Sequence, residues 1–292
     1  IKMVSCIMSK ETSVTACCLI IGNEVLSGRT KDANLGWLAE RLTDMGIRMA
    51  EARVIPDDEE IIINVINEVR AKYSYVFTTG GIGPTHDDIT SLCVAKAFGV
   101  EIYRNPEAKA LLESFIPVER LNEARLKMAD VPVGSTLIGN PVSKAPGFKM
   151  ENVYVMAGVP SIMRSMFEGF SGELIGGKKM LSIAVACYLP EGSIAEPLTK
   201  IQNLYSNVEI GSYPFFRAGN FGCTLISRGT DMEELEQVAE KIREMILSLG
   251  GDPINEDLVT YIAMESRTPL VEAFHITDSH GTMLNENNRS LY

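Results

Sequence analysis

Residues 75 to 90 read Tyr-Val-Phe-Thr-Thr-Gly-Gly-Ile-Gly-Pro-Thr-His-Asp-Asp-Ile-Thr, an aromatic and β-branched run that breaks into glycines and then into acids. Tyr75, Val76 and Phe77 favour a buried strand, while Gly80, Gly81 and Gly83 let the backbone turn with positive φ and approach a ligand closely. A helix beginning near Thr85 would aim unpaired N–H groups back at that turn. Backbone donors and a helix N-terminus together make an anion site that needs no lysine. Neither G-x-x-x-x-G-K-[ST] nor G-x-G-x-x-G can be read here, so the P-loop and the dinucleotide fingerprint are excluded at this loop. The competing reading is an ordinary strand-to-helix turn whose glycines serve geometry alone.

Working outward, residues 14 to 21 form a nearly continuous apolar run before Gly22, as expected of a strand buried on both faces of a parallel sheet. Leu35, Leu38, Leu42 and Met45 recur at helical spacing and stop at Gly46. A second strand is predicted over 48–55, then a helix over 57–72 with Ile61, Val65 and Val69 on one face. Strands alternating with helices imply βαβ crossovers and an open, mostly parallel sheet, whose ligands collect at the carboxyl ends of the strands. Gly22, Asp57 and Gly80 each follow a predicted strand and would gather at that edge. Further along, helices are predicted over 106–115 and 119–128, a loop over 140–147, a strand over 153–156 and a helix from Ser161.

The glycine- and lysine-rich stretch 171–179 reads as a linker. Beyond it the pattern is strand (180–188), helix (193–205), strands (207–213 and 220–228) and helix (231–248), a small α+β domain of the split βαβ kind. The expected organisation is therefore an extension over 1–13, a domain over 14–172, a second over 178–252 and a polar tail over 266–292.

With 46% hydrophobic and 22% charged residues, the 292-residue chain can build a substantial core without metal or disulfide staples. Its six cysteines (Cys6, Cys17, Cys18, Cys93, Cys187 and Cys223) contain no C-x-x-C pair and read as reduced core residues. No apolar run approaches the roughly 18 residues of a membrane span, and no signal-peptide core stands at the N-terminus, so a cytoplasmic protein is expected. A net charge of −11 argues against a broad nucleic-acid or anionic-membrane surface. Any anionic ligand must be held by local groups.

Asp57, Asp58, Asp87 and Asp88 form two acidic clusters that each follow a strand and would flank the same glycine turn. Paired carboxylates beside a phosphate suit a divalent cation (Mg²⁺, Mn²⁺ or Co²⁺) that neutralises charge in phosphoryl or nucleotidyl transfer. Capping is the alternative for each, because Asp57-x-x-Glu60 and Thr85-x-x-Asp88 both have the form of a capping box. His86 could meet a phosphate or stay solvated. Glu24 either joins the site or serves a turn surface, and Lys144 either reaches a terminal phosphate or keeps its loop soluble.

The run Thr79–Thr90, together with Gly22-Asn23-Glu24, Asn34, Pro56-Asp57, Asn140-Pro141, Ala145-Pro146-Gly147 and Gly158-Val159-Pro160, resembles the MoaB/Mog molybdopterin-binding domain family. Within it the likeness is to the N-terminal part of the competence/damage-inducible protein CinA and to the molybdopterin-binding-like domain of FAD synthases. It covers about residues 14–170, and 180–250 is similar to the small domain that follows in CinA. The resemblance implies a three-layer αβα fold and a phosphate or pterin site. Asp57 and Asp88 would be its functional carboxylates, with Asp87 as a further metal ligand. Around them Glu24, Asn34, Thr79, Gly80, Gly81, Gly83, Pro84, Thr85, Lys144, Pro146 and Gly147 would line the ligand. It implies metal-dependent cleavage of a nucleotide pyrophosphate such as ADP-ribose or FAD, with adenylylation of molybdopterin or binding without catalysis as alternatives. A homo-oligomer is also implied. Two positions depart from the family pattern: the Gly-Thr-Glu of CinA is Gly22-Asn23-Glu24, and the Gly-Thr-Ala-Pro-Gly loop is Ser143-Lys144-Ala145-Pro146-Gly147. No nicotinamide-nucleotide deamidase domain follows by Tyr292, so neither deamidation nor FAD synthesis is expected.

Overall fold

The structure is a computed structural model that describes residues 14–217 and 219–256. The expected extension over 1–13 and the tail over 266–292 lie outside these residues. The chain divides into two compact units at Lys179/Met180.

The first unit is built on a six-stranded sheet. In chain order its strands are β1 (Thr15–Ile21), β2 (Arg48–Ile55), β3 (Tyr75–Thr79), β6 (Thr136–Ile138), β7 (Gly147–Met150) and β8 (Val153–Met156), and they lie side by side as β2-β1-β3-β8-β7-β6. The strands β2, β1, β3 and β8 run parallel, and β7 alone is reversed, pairing antiparallel with both β8 and β6. A separate pair, β4 (Ile102–Arg104) with β5 (Asp130–Pro132), had no readable signal at three residues each.

Helices cover both faces, and alternation along β1 shows why. Cys17, Leu19 and Ile21 enter a core shared with α3 (Glu59–Lys72) and α4 (Thr90–Phe98), whereas Ala16, Cys18 and Ile20 enter one shared with α2 (Leu35–Asp44) and α7 (Pro160–Phe170). Both faces of the strand are apolar because both are buried. Burial also pushes the thiols of Cys17 and Cys93 up to about 12, so they stay protonated packing groups.

Three local expectations are corrected. The buried stripe of α3 is Ile62, Ile66 and Val69, and Ile61 is exposed, because the helix starts at Glu59 and its phase follows from that start. The helix predicted over 119–128 is instead two 3₁₀ turns (Val118–Arg120 and Lys127–Ala129) around the single-turn α6 (Glu123–Leu126), since Asn122 caps a new start at Arg125 N. The stretch read as a linker is docked. Leu174 is buried, Ile175 N donates to the Tyr75 hydroxyl (2.9 Å), and Gly177 N donates to Gly46 O (3.0 Å). Glycines there permit close packing against the end of α2 rather than free motion.

The second unit contains β9 (Leu181–Cys187), α8 (Glu191–Leu204), β10 (Glu209–Arg217), β11 (Asn220–Gly229), α9 (Met232–Ser248) and β12 (Ile254–Glu256). All its strand pairs are antiparallel, in the order β10-β11-β9-β12. The short β12 lies past the expected boundary at 252 and completes the β-α-β-β-α-β split βαβ arrangement.

Candidate functional site

Parallel register brings the ends of four strands to one edge. Gly22 follows β1, Asp57 follows β2, Gly80 follows β3 and Gly158 follows β8. Because β7 runs back from this edge, the loop 139–146 returns to it as well. β1 lies between β2 and β3, so strand order reverses here, the place where open α/β sheets hold their ligands.

At the centre is the glycine turn. Gly80 (φ +103°) and Gly81 (φ +68°) are left-handed, and a Cβ on Gly80 would overlap the Ile21 carbonyl oxygen. Gly158 comes so near that its own Cβ would stand 3.3 Å from Gly80 Cα. Gly83 departs from the expectation of positive φ. Its lack of a side chain instead makes room for the Asp88 carboxylate, 2.6 Å from where a Cβ would be. Gly80 N is committed to Met156 O (3.1 Å), whereas the N–H groups of Gly81, Ile82 and Gly83 donate to no group among the described residues. The turn thus carries three consecutive open backbone donors.

No helix begins at Thr85. α4 starts at Thr90, whose N–H donates to Gly81 O (3.0 Å) and whose hydroxyl donates to Gly80 O (3.1 Å), so the helix start is tied to the turn rather than aimed past it. The capping-box pattern Thr85-x-x-Asp88 closes on itself as a turn. Thr85 N and its hydroxyl both donate to Asp88 Oδ2, and the hydroxyl also lies 2.6 Å from Asp87 Oδ1. That hydroxyl, then the backbone N–H of Asp87, hold the Asp87 carboxyl below the usual range. Pro84, Thr85, His86 and Asp87 are exposed, and His86 is nearly bare at 97%. Lys127 Nζ donates to Thr85 O (2.7 Å), placing beside this loop a cation that the sequence reading missed. It stands 42 residues away on a 3₁₀ turn, so no local pattern could have pointed to it.

Asp57 is not the cap of α3. Asp58 takes that role, accepting from Ile61 N (3.0 Å), and Asp57 Oδ2 accepts from Asn23 N across the strand edge (2.9 Å). The exposed Glu24 folds its carboxylate over the Cα of Gly22. Asn34 is buried at 4% exposure. Its Nδ2 donates to Gly158 O (2.8 Å) and its Oδ1 has no partner. Thr79, also buried, leaves its hydroxyl without a partner. In the 140–147 loop, Asn140 Oδ1 accepts from Val142 N and Ser143 N, and its Nδ2 donates to Ala145 O (2.8 Å). This bracing holds Lys144 at φ +60°, while Pro146 and Gly147 are buried. Gly147 admits no Cβ because Val155 O occupies the space.

Among the described residues no three His, Cys, Asp or Glu side chains come close enough to enclose a metal. Asp57 Oδ1 and Asp88 Oδ1 nevertheless accept no hydrogen bond there, leaving hard oxygen donors at the edge. Carboxylate oxygens of this kind are what a Mg²⁺-like cation takes, one or two at a time, with phosphates and water completing its shell.

The first unit is an open α/β sheet with open backbone donors and two carboxylates at its switch point. The chain belongs to the family described as "Probable molybdopterin binding domain", which it matches over residues 17–175. Residues 179–249 match the "FAD synthase, middle domain". A protein of Pyrobaculum calidifontis is 36% identical over 211 residues, covering 68% of this chain and 80% of that one. A "Probable FAD synthase" of Caenorhabditis elegans is 30% identical over 258 residues, and the match takes in 80% of this chain but 50% of the relative's length. Among solved structures, the protein CinA of Thermoplasma acidophilum is similar with a TM-score of 0.53 at 30% identity, covering 55% of this chain and 98% of that chain. No helix among the described residues is long and apolar enough to cross a membrane.

Proposed function

We propose that the first unit binds the phosphoanhydride of a nucleotide or adenylylated pterin at the 80–88 edge and hydrolyses it with a divalent cation. The observation that carries this reading is the row of open N–H donors at Gly81, Ile82 and Gly83 facing no protein acceptor, with Asp57 and Asp88 at the same strand edge. The backbone donors would hold one phosphate. Asp57 and Asp88 would hold the cation and orient water, and Lys127 would offset charge on the 84–88 turn. A bound cation would supply charge neutralisation at the phosphates and a more acidic water.

Asp88→Asn is the discriminating variant, since its amide oxygen can still accept from Thr85 while the charge is lost. Hydrolysis of ADP-ribose and FAD, assayed with Mg²⁺, Mn²⁺ and Co²⁺, should fall on the order of a hundredfold with unchanged circular dichroism. Unaltered turnover would remove Asp88 from the mechanism. A second reading rests on the open donors of the glycine turn alone, a ligand-binding protein without catalysis. Calorimetric binding with no turnover under any of the three cations would establish it. Activity that appears only with ATP and molybdopterin would instead point to adenylyl transfer.

A further inference from the structure

The loop that carries Asp88 has a fixed neck and an exposed tip. Thr90 is fully buried, and its N–H on Gly81 O (3.0 Å) with its hydroxyl on Gly80 O (3.1 Å) closes residues 82–89 into a loop. Ile82 and Ile89, half-buried, pack against the core at that neck. Pro84, Thr85, His86 and Asp87 are exposed, and the bonds they share with Asp88 and Ile89 stay inside the loop: Thr85 N donates to Asp88 Oδ2 (2.8 Å), Asp88 N to Thr85 O (3.3 Å) and Ile89 N to Asp87 O (2.9 Å). Bonds of this kind fix the shape of a turn. They do not fix its place relative to the rest of the chain.

Among the described residues one hydrogen bond reaches 84–88 from outside, from Lys127 Nζ to Thr85 O (2.7 Å). The base of that lysine is held firmly. Lys127 opens the 3₁₀ turn Lys127–Ala129, in which Ala129 is fully buried against Ala108 and Leu112 of α5 (Pro106–Phe115) and accepts at its carbonyl from Asn105 N (2.9 Å). No carboxylate among the described residues stands within ion-pair distance of Lys127, so its hydrogen bonding is committed to the Thr85 carbonyl. A bond from an ammonium is roughly twice as strong as one between neutral groups.

We propose that Lys127 is a positioning residue for the glycine edge: by holding Thr85 O it sets where the loop tip stands and hence where Asp88 presents Oδ1. The inference rests on the reading of Asp88 as a cation-holding carboxylate, and its test is chosen to stand apart from that reading. Amide hydrogen exchange of the full chain, followed by mass spectrometry over peptides spanning 82–89, reads the loop itself, because the N–H groups of Thr85, Asp88 and Ile89 are bonded within it. Lys127→Met, and Lys127→Ala as a second removal, should speed exchange there on the order of tenfold, with unchanged far-ultraviolet circular dichroism. Lys127→Arg keeps a charged donor and should exchange like the wild type. Lys109→Met removes a cation paired with Glu113 on α5 and controls for net charge; it should leave the loop as it is. In hydrolysis of ADP-ribose, Lys127→Met should raise the Mg²⁺ concentration for half-maximal rate on the order of tenfold and leave the KM for ADP-ribose at saturating Mg²⁺ within about twofold, a split that general loss of fold does not give. If no form of the protein turns over ADP-ribose, the hydrolytic reading falls while the exchange result still decides the role of Lys127. The proposal is overturned if both Lys127→Met and Lys127→Ala exchange like the wild type, if Lys127→Arg speeds exchange as much as they do, or if Lys109→Met has the same effect.

Discussion

Adjacent aspartates with the same side chain hold different positions at this edge, and the difference is a matter of one hydrogen bond each. Asp58 accepts from Ile61 N and is spent on the helix, while Asp57 accepts from Asn23 N at Oδ2 and leaves Oδ1 without a donor among the described residues. The glycines divide in the same way. Gly80 is required by its φ of +103° and by the Ile21 carbonyl against it, so Gly80→Ala should destabilise the fold by about 1–3 kcal/mol, read as a lower urea midpoint. Gly83→Ala should cost less, because the atom it would meet is the movable end of Asp88. Equal midpoints for Gly80→Ala and the wild type would show that the turn is not pinned. Residue type alone marked Gly80 and Gly83 as equivalent; φ and neighbouring carbonyls separate them.

Helix starts are where expectation and structure part most often. A start is decided by which of several nearby side chains wins the first free N–H groups, and the candidates differ by about 1 kcal/mol. In α3 Asp58 wins, whereas at 85–88 Thr85 and Asp88 satisfy each other and delay α4 to Thr90. Asp58→Ala should therefore lose about 0.5–2 kcal/mol of stability in urea titration, and Asp57→Asn should stay within about 0.5 kcal/mol of wild type. The reverse order of effects would return the cap to Asp57. Long elements were legible because their signal is spread over many residues. β2, β3, β8 and α5 (Pro106–Phe115) lie where the apolar pattern puts them, while three-residue strands such as β4, β5 and β12 have too few positions to show a period.

Each of the two units owns a core, the first centred on β1 and β3 with α2, α3, α4 and α7, the second on β9 and β11 with α8 and α9. A unit with its own core can fold alone. Residues 14–179 expressed separately should unfold cooperatively in calorimetry and retain the far-ultraviolet circular dichroism of a mixed α/β fold; a non-cooperative fragment would mean that the units depend on one another. The order of strands and helices, the double burial of β1 and the gathering of Gly22, Asp57 and Gly80 at one edge were determined by the sequence itself, because hydrophobic period and crossover rules act on long segments. Only the tertiary structure decided that Asp58 rather than Asp57 caps α3, that Lys127 stands beside Thr85, that 174–177 is packed rather than loose, and that the loop braced by Asn140 holds Lys144 at positive φ. Each of those outcomes turns on single hydrogen bonds or close contacts between residues distant in the chain or competing within one turn, and such choices leave no periodic trace.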